Sequence, residues 1–289
     1  MNKAKNDSAY FIWSISILLC MVLAFFTLIF TSCAGDKEKA NSAATTPDVQ
    51  TESPSPDVFA TNPDESLPPD DAPLSTDTPP ADSAPQPVEL SATADMGQEY
   101  IDKFYFLGDS TTNGLAHYEI VDKTHVWTPT NGTLTLDRWN IDAVYDRSTE
   151  SQIMITEAVR MVQPEYLLIT LGINGVSFMT EEVFSVNYSN LVAGIKEASP
   201  GTKIILNSIY PVSANYNTSS GISNAKIDVA NGWIKKIAEE SGVHYVNSSS
   251  VIKDESGNLI ESYHNGDFIH PNPDCYQAVI SFLRTHGLS

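Results

Sequence analysis

Tyr105-Phe106-Leu107-Gly108-Asp109-Ser110 is the stretch on which the reading of this chain turns. Phe104 to Leu107 is an apolar run of strand length that stops at Gly-Asp-Ser, where a helix can begin. A serine on such a strand-to-helix turn exposes its hydroxyl and sets its backbone N–H near the positive end of the helix. That place suits a nucleophile. It is equally ordinary turn and N-cap chemistry, so the choice depends on two other stretches, Gly172-Ile173-Asn174 midway and Asp267-Phe268-Ile269-His270 near the end.

Outward from this turn, residues 98–289 have globular composition and a length of roughly 190 residues, enough for one domain with a sizeable core. Apolar runs at Phe104–Leu107, Tyr166–Leu171, Lys203–Tyr210 and Val243–Val246 read as strands, with His125–Thr128 as a further candidate. Between them lie helix patterns with stop signals. Thr149 to Val162 ends before Pro164, Thr180 to Ala198 before Pro200, Ile222 to Ser241 at Gly242, and Asn272 to His286 at Gly287. Asp137 to Asp146 mixes apolar and polar residues and could add a strand. Strand and helix alternation predicts an α/β fold, with right-handed crossovers and a parallel sheet covered on both faces. Ligands then bind beyond the carboxyl ends of the strands.

The first 97 residues are of another kind. Lys3 and Lys5 precede an apolar stretch from Tyr10 to Phe30, and Thr31-Ser32-Cys33-Ala34-Gly35 follows it. A basic start, an apolar stretch and a small-residue exit describe a secretory signal over residues 1–33, and the length also allows an N-terminal membrane anchor. Thr31-Ser32-Cys33-Ala34 resembles a bacterial lipobox, with Cys33 as the lipidated residue and Phe30 where such motifs usually carry an aliphatic side chain. Either reading expects the rest of the chain to be extracytoplasmic and held at the cell membrane.

Of the formal net charge of −20, over half comes from residues 34–95, where 13 Asp and Glu face 2 Lys and 11 of the 17 prolines lie. Residues 34–97 therefore read as an acidic, extended linker that cannot bury enough apolar surface to order itself. The acidic balance argues against nucleic acid as a partner. Cys275 is the only cysteine after Cys33, which rules out an intramolecular disulfide in the mature domain and a thiolate metal cluster.

In a parallel sheet, Ser110, Asn174 and the pair Asp267 and His270 can open on one edge. The spacing of Asp267 and His270 places them on one face of a helical turn. The carboxylate could then orient the imidazole while the other ring nitrogen takes the Ser110 proton. His264 competes for that role, because Glu261 precedes it at the same spacing. His270 is preferred because it stands directly before Pro271 and the last helix, whereas His264-Asn265-Gly266 reads as loop. Trp127, Trp139, Tyr210 and Tyr216 are aromatic faces on which sugars could stack.

From about Phe104 onward the chain resembles the SGNH (GDSL-type) hydrolases. Gly108-Asp109-Ser110 corresponds to their nucleophile block, Gly172-Ile173-Asn174 to their asparagine block and Asp267-Phe268-Ile269-His270 to their Asp-x-x-His block. The resemblance implies a three-layer α/β/α sandwich, with Ser110 as nucleophile, His270 as base and Asp267 as its partner. It implies an oxyanion hole of the Ser110 N–H, the Asn174 amide and a glycine N–H, for which Gly132 is chosen by position. Gly175 stands where the family usually has Asp, which leaves Asn174 less firmly held. The α/β-hydrolase pattern fits poorly, since Thr112 occupies the place of the second glycine in Gly-x-Ser-x-Gly.

The expected activity is hydrolysis of acyl esters, O-acetyl groups first, on cell-envelope or extracellular carbohydrate. No cofactor or metal is expected, the partners are a small-molecule or polysaccharide ester and the membrane, and the oligomeric state expected is a monomer. Two alternatives stay open: a non-catalytic glycan-binding lipoprotein on the same scaffold, and an acyltransferase using the same three residues.

Overall fold

The computed structural model describes residues 88–288; the apolar N-terminal stretch, Cys33 and the linker as far as residue 87 lie outside the described residues. The chain runs α1 (Gln98–Ile101), β1 (Phe104–Gly108), α2 (Ser110–His117), β2 (Val126–Trp127), β3 (Ala143–Asp146), β4 (Ser151–Met154), α3 (Ile155–Val162) and β5 (Tyr166–Thr170). It continues through α4 (Glu181–Ala198), β6 (Lys203–Asn207), α5 (Asn224–Ser241), β7 (His244–Val246) and α6 (Pro273–Arg284). Five strands form one sheet in the order β2-β1-β5-β6-β7, with every neighbouring pair parallel.

Side-chain alternation builds the layers. In β1, Phe104 and Phe106 enter one core while Leu107 enters the other; in β5, Leu168 parts from Leu167 and Ile169 in the same way. The first core is closed by α1, α2 and α6 through Ile101, Leu115, Tyr276 and Val279. The second is closed by α3, α4 and α5 through Val159, Phe184, Leu191 and Ile234. This is the expected three-layer sandwich. Both faces of the sheet are buried, which is why its strands are continuous apolar runs and not alternating ones.

Helix ends sit where their capping residues put them. Thr180, Ser223 and Asn272 each accept an N–H of the first turn of α4, α5 and α6, and Gly242 ends α5 in the left-handed region at φ 60°. These caps satisfy backbone groups that have no partner within the helix.

Three expectations are corrected, and a fourth segment is resolved. The helix expected from Thr149 begins only at Ile155, because Ser151–Met154 pairs antiparallel with β3 as a separate two-stranded sheet. The same pairing resolves Asp137 to Asp146, whose last residues are β3. β6 ends at Asn207, although Ser208 to Tyr210 stay buried beyond it. The linker assigned to residues 34–97 also gives up its end to the domain. Tyr245 N–H donates to Val88 O at 2.9 Å and Leu90 N–H to Tyr245 O at 2.8 Å, covering the free edge of β7. Arg284 grips Asp95 beyond it.

After β1 the chain moves to β2 on one side, and β5 then lies on the other. Loops from neighbouring strands therefore diverge at the carboxyl ends of β1 and β5, leaving the crevice in which α/β sheets place their sites.

Candidate active site

Ser110 is the first residue of α2 and follows the β1 strand directly through Asp109. The turn is tight enough to need Gly108: a Cβ there would collide with Thr112 Oγ1 and come 2.7 Å from Thr170 O. Asp109 caps the helix, its Oδ1 accepting from Thr111 N–H at 2.9 Å and Thr111 Oγ1–H at 2.8 Å. Its carbonyl takes the N–H groups of Thr112 and Asn113. The Ser110 N–H finds no acceptor among the described residues and remains at the positive end of α2.

The far end of the chain meets this serine. His270 Nε2 lies 2.8 Å from Ser110 Oγ, and His270 Nδ1 lies 2.6 Å from Asp267 Oδ2. The expected helical turn is corrected to a loop. Asp267 Oδ1 accepts the N–H groups of Ile269 at 3.1 Å and His270 at 2.8 Å, and Phe268 sits in the left-handed region at φ 71°. A non-glycine residue there is strained and needs external support. Phe268 O accepts Ser213 N–H at 2.9 Å, and its ring rests on His264 at 4.8 Å between centroids. Burial alone would raise the Asp267 carboxyl, but hydrogen bonds from the His270 N–H and imidazole and the Ile269 N–H outweigh it and hold the group below its ordinary value. Asp267 is therefore a carboxylate at neutral pH.

His264 has a different place. Its Nε2 faces Glu261 Oε1 at 3.4 Å and its Nδ1 accepts Gly266 N–H at 2.9 Å, while Glu261 is held by Ser213 Oγ at 2.8 Å. The ring braces the loop that carries Asp267 and His270. Spacing alone could not separate the two Glu/Asp–His pairs, and only the fold sets one against Ser110.

Gly132, in the loop after β2, lies over the serine at φ 72°, and a Cβ built on it would come 3.1 Å from Ser110 Cβ. Its N–H, however, donates to Pro129 O at 3.0 Å within its own turn, so its candidate oxyanion donor is engaged. Asn174 follows β5, where Gly172 at φ 131° turns the chain, and its Nδ2 donates to Leu134 O at 3.3 Å. That bond ties Asn174 to the Gly132 loop. A Cβ on Gly175 would come 2.8 Å from Met179 Sδ, so the usual Asp would require the flexible Met179 side chain to shift.

Sequence reasoning passed over Asn113, one turn after Ser110. Its Oδ1 accepts from Arg147 Nη2 at 2.6 Å and from Thr128 Oγ1 at 3.1 Å, and Arg147 also binds Val126 O. This network clamps α2 to the end of β2. Asn113, His117, Tyr118 and Asn265 line a cleft of about 230 Å³ beside Ser110 and His270. Of the aromatics offered as stacking faces, Trp127 is 0% and Tyr210 4% exposed, so neither can meet a sugar. Trp139 is half-buried against Gly194, and Tyr216 packs partly on the second core. Cys275 is wholly buried, and burial pushes its thiol up to about 12. Among the described residues no group of three or more His, Cys, Asp or Glu side chains is placed to hold a metal ion.

Asp109 is fully buried behind Ser110, and its Oδ2 meets no partner among the described residues. Burial pushes its carboxyl up to about 6, against the opposing pull of the Thr111 hydrogen bonds and the nearby His270. A carboxyl raised on folding binds protons more tightly in the native state, so it lowers stability as pH rises from the unfolded value near 3.8 through about 6. Asp109→Asn keeps the capping oxygen but cannot ionise. Its stability relative to the parent is expected to rise by on the order of 3 kcal/mol between pH 4 and pH 8, most of it below pH 7. Urea unfolding of both proteins at the two pH values checks this; a difference that does not change with pH would contradict it.

A model described as the GDSL-like lipase/acylhydrolase family matches residues 106–278. Among curated proteins none matches. Among solved structures the chain is similar to a GDSL-like lipase from Bacteroides thetaiotaomicron, at 20% identity over 65% of this chain and 88% of that one, with a TM-score of 0.46. It is similar also to a catalytic mutant of an acetylxylan esterase from Geobacillus stearothermophilus, at 18% identity, 64% and 94% coverage and a TM-score of 0.42. A third is a carbohydrate esterase family 3 structure from Talaromyces cellulolyticus, at 17% identity, 61% and 91% coverage and a TM-score of 0.41. The matched residues take in the turn bearing Ser110, the asparagine after β5 and the loop of Asp267 and His270, and the chain belongs to the GDSL-like lipase/acylhydrolase (SGNH hydrolase) family.

Proposed function

We propose that this protein is a serine esterase that removes short acyl groups, acetyl first, from hydroxyls of cell-envelope or extracellular carbohydrate. The observation that carries the reading is the unbroken line from Ser110 Oγ to His270 Nε2 at 2.8 Å and from His270 Nδ1 to Asp267 Oδ2 at 2.6 Å. Ser110 Oγ attacks the ester carbonyl as His270 Nε2 takes its proton, and Asp267 stabilises the imidazolium. Collapse of the tetrahedral intermediate breaks the bond to the alcohol, which leaves with the proton from Nε2. Water then adds to the acyl-serine, giving its proton to His270, and the acid departs as Ser110 regains its own.

The developing oxyanion is met by the Ser110 N–H at the start of α2 and by the Asn174 amide, with Gly132 joining once its N–H leaves Pro129 O. A modest cleft with walls of mixed polar and apolar character favours a short acyl ester over a long lipid chain, which needs an extended apolar channel. The carbohydrate and the site of action are inferred from the N-terminal segment. Its apolar stretch and Cys33 read as a lipoprotein signal, and an acidic linker would carry the domain out from the membrane surface.

The test is hydrolysis of p-nitrophenyl esters by the full chain. Acetate and butyrate are expected to be turned over, with kcat/KM falling roughly tenfold or more by octanoate. A preference rising with chain length would replace the short-acyl reading with a lipase-like one.

A further inference from the structure

We propose that Asn113 is a substrate-recognition residue that presents a fixed amide N–H2 to a carbohydrate hydroxyl in the cleft beside Ser110. The inference rests on the carbohydrate ester reading above and extends it to a residue outside the catalytic line. An asparagine amide has an accepting and a donating end, and which end faces a ligand is normally free to change. Here it is not free. Arg147 can only donate, and its Nη2 stands 2.6 Å from Asn113 Oδ1, with Thr128 Oγ1 adding a second donor at 3.1 Å. Turning the amide over would set two donors against each other beside a half-buried guanidinium. Arg147 is itself held by Val126 O at the start of β2. The oxygen therefore stays on the network side, and Nδ2, which takes no acceptor among the described residues, is left for the cleft that Asn113 lines.

Part of the remaining wall has the same character, beside Gly114 and Pro271. Asn265 spends its Oδ1 on Asp267 N–H at 3.2 Å, which leaves its own amide N–H2 uncommitted. His117 lies edge-on to Tyr118 at 4.7 Å, and neither ring makes a side-chain hydrogen bond among the described residues. Fixed donors beside aromatic faces suit a polyhydroxylated alcohol, since a sugar offers acceptor oxygens at its edges and C–H groups on its faces. An aliphatic alcohol offers these donors no acceptor and leaves them to water, so it forgoes the hydrogen bonds that a sugar makes.

The experiment measures kcat/KM of the full chain on p-nitrophenyl acetate and on mono-O-acetylated methyl glycosides whose other hydroxyls are free. Asn113→Ala is expected to lose at least about tenfold more on the glycosides than on p-nitrophenyl acetate, chiefly through KM. Asn113→Asp keeps an oxygen for Arg147 and Thr128, so its fold is secured, but it offers the cleft an acceptor; the same differential loss is expected. Equal losses on both substrates, or none on the glycosides, would overturn the role of Asn113 while leaving the esterase reading intact. A parent protein active on p-nitrophenyl acetate and inactive on every glycoside would overturn the carbohydrate subsite itself. Inactivity on both substrates would remove the esterase reading and this inference with it.

Discussion

Ser110→Ala is expected to lower ester hydrolysis by about 10,000-fold or more while the protein stays folded. In the proposed mechanism the Ser110 oxygen bonds to the substrate. The next hydroxyls on α2 are poorly placed to replace it, since Thr111 Oγ1 donates to Asp109 and both Thr111 and Thr112 are buried. Removing the nucleophile of a Ser-His-Asp set leaves only the rate given by substrate positioning and the oxyanion donors. The fold should hardly notice. Ser110 opens α2, but the helix is capped by Asp109 through Thr111, and that cap is untouched. Alanine loses the hydrogen bond with His270, whose imidazole remains held by Asp267 at 2.6 Å. The measurement pairs p-nitrophenyl acetate turnover with fluorophosphonate labelling and a thermal melt. Loss of turnover and labelling at an unchanged melting temperature is the expected result. A purified variant that still turns over ester would refute Ser110 as the nucleophile.

The second large effect is expected at Asp267. Asp267→Asn preserves the oxygen that accepts the Ile269 and His270 N–H groups at 3.1 and 2.8 Å, so the loop keeps its shape. What changes is the atom facing His270 Nδ1. An amide N–H2 there demands a bare Nδ1, which moves the ring proton to Nε2 and points it at Ser110. That tautomer cannot take the serine proton, and the imidazolium loses its counter-charge. Where the carboxylate is buried such a change costs about 10,000-fold in kcat. Here the Asp267 side chain is 45% exposed, so water competes for the imidazole. A loss of roughly 100- to 1,000-fold in kcat with little change in KM is expected. Steady-state kinetics decides it, and a loss below tenfold would mean that water does the work of the carboxylate.

Local chemistry made much of this protein legible from its residues in order. β1 and its turn were readable because an apolar run, a glycine that alone tolerates the close approach of Thr112, and a capping Asp all lie within a few residues of one another. The helices α4, α5 and α6 were readable from apolar periodicity and from stop signals such as Pro200 and Gly242, which act within a turn of themselves. The caps at Thr180, Ser223 and Asn272 emerged from the structure. Motif order pointed to Ser110, Asp267 and His270, and the structure brings these three together. The segment from Thr149 misled because Ile153, Met154 and Ile155 suit a strand or a helix equally; the antiparallel partner β3 made Ser151–Met154 a strand.

The sequence by itself thus determined the layered α/β plan and the identity of the residues at the sheet edge, because caps, turns and apolar periodicity are short-range effects written in neighbouring residues. Tertiary structure alone decided how those residues are held. It set His270 against Ser110 and made His264 a brace, although both histidines have an acid at the same spacing. It turned the Asp267 loop through a left-handed Phe268 supported by Ser213, engaged the Gly132 N–H with Pro129, and locked the Asn113 amide with Arg147. The pairs Ser110 with His270, Ser213 with Phe268 and Asn113 with Arg147 join groups far apart on the chain. Such contacts form only when packing of the whole domain has offset the entropy of bringing them together.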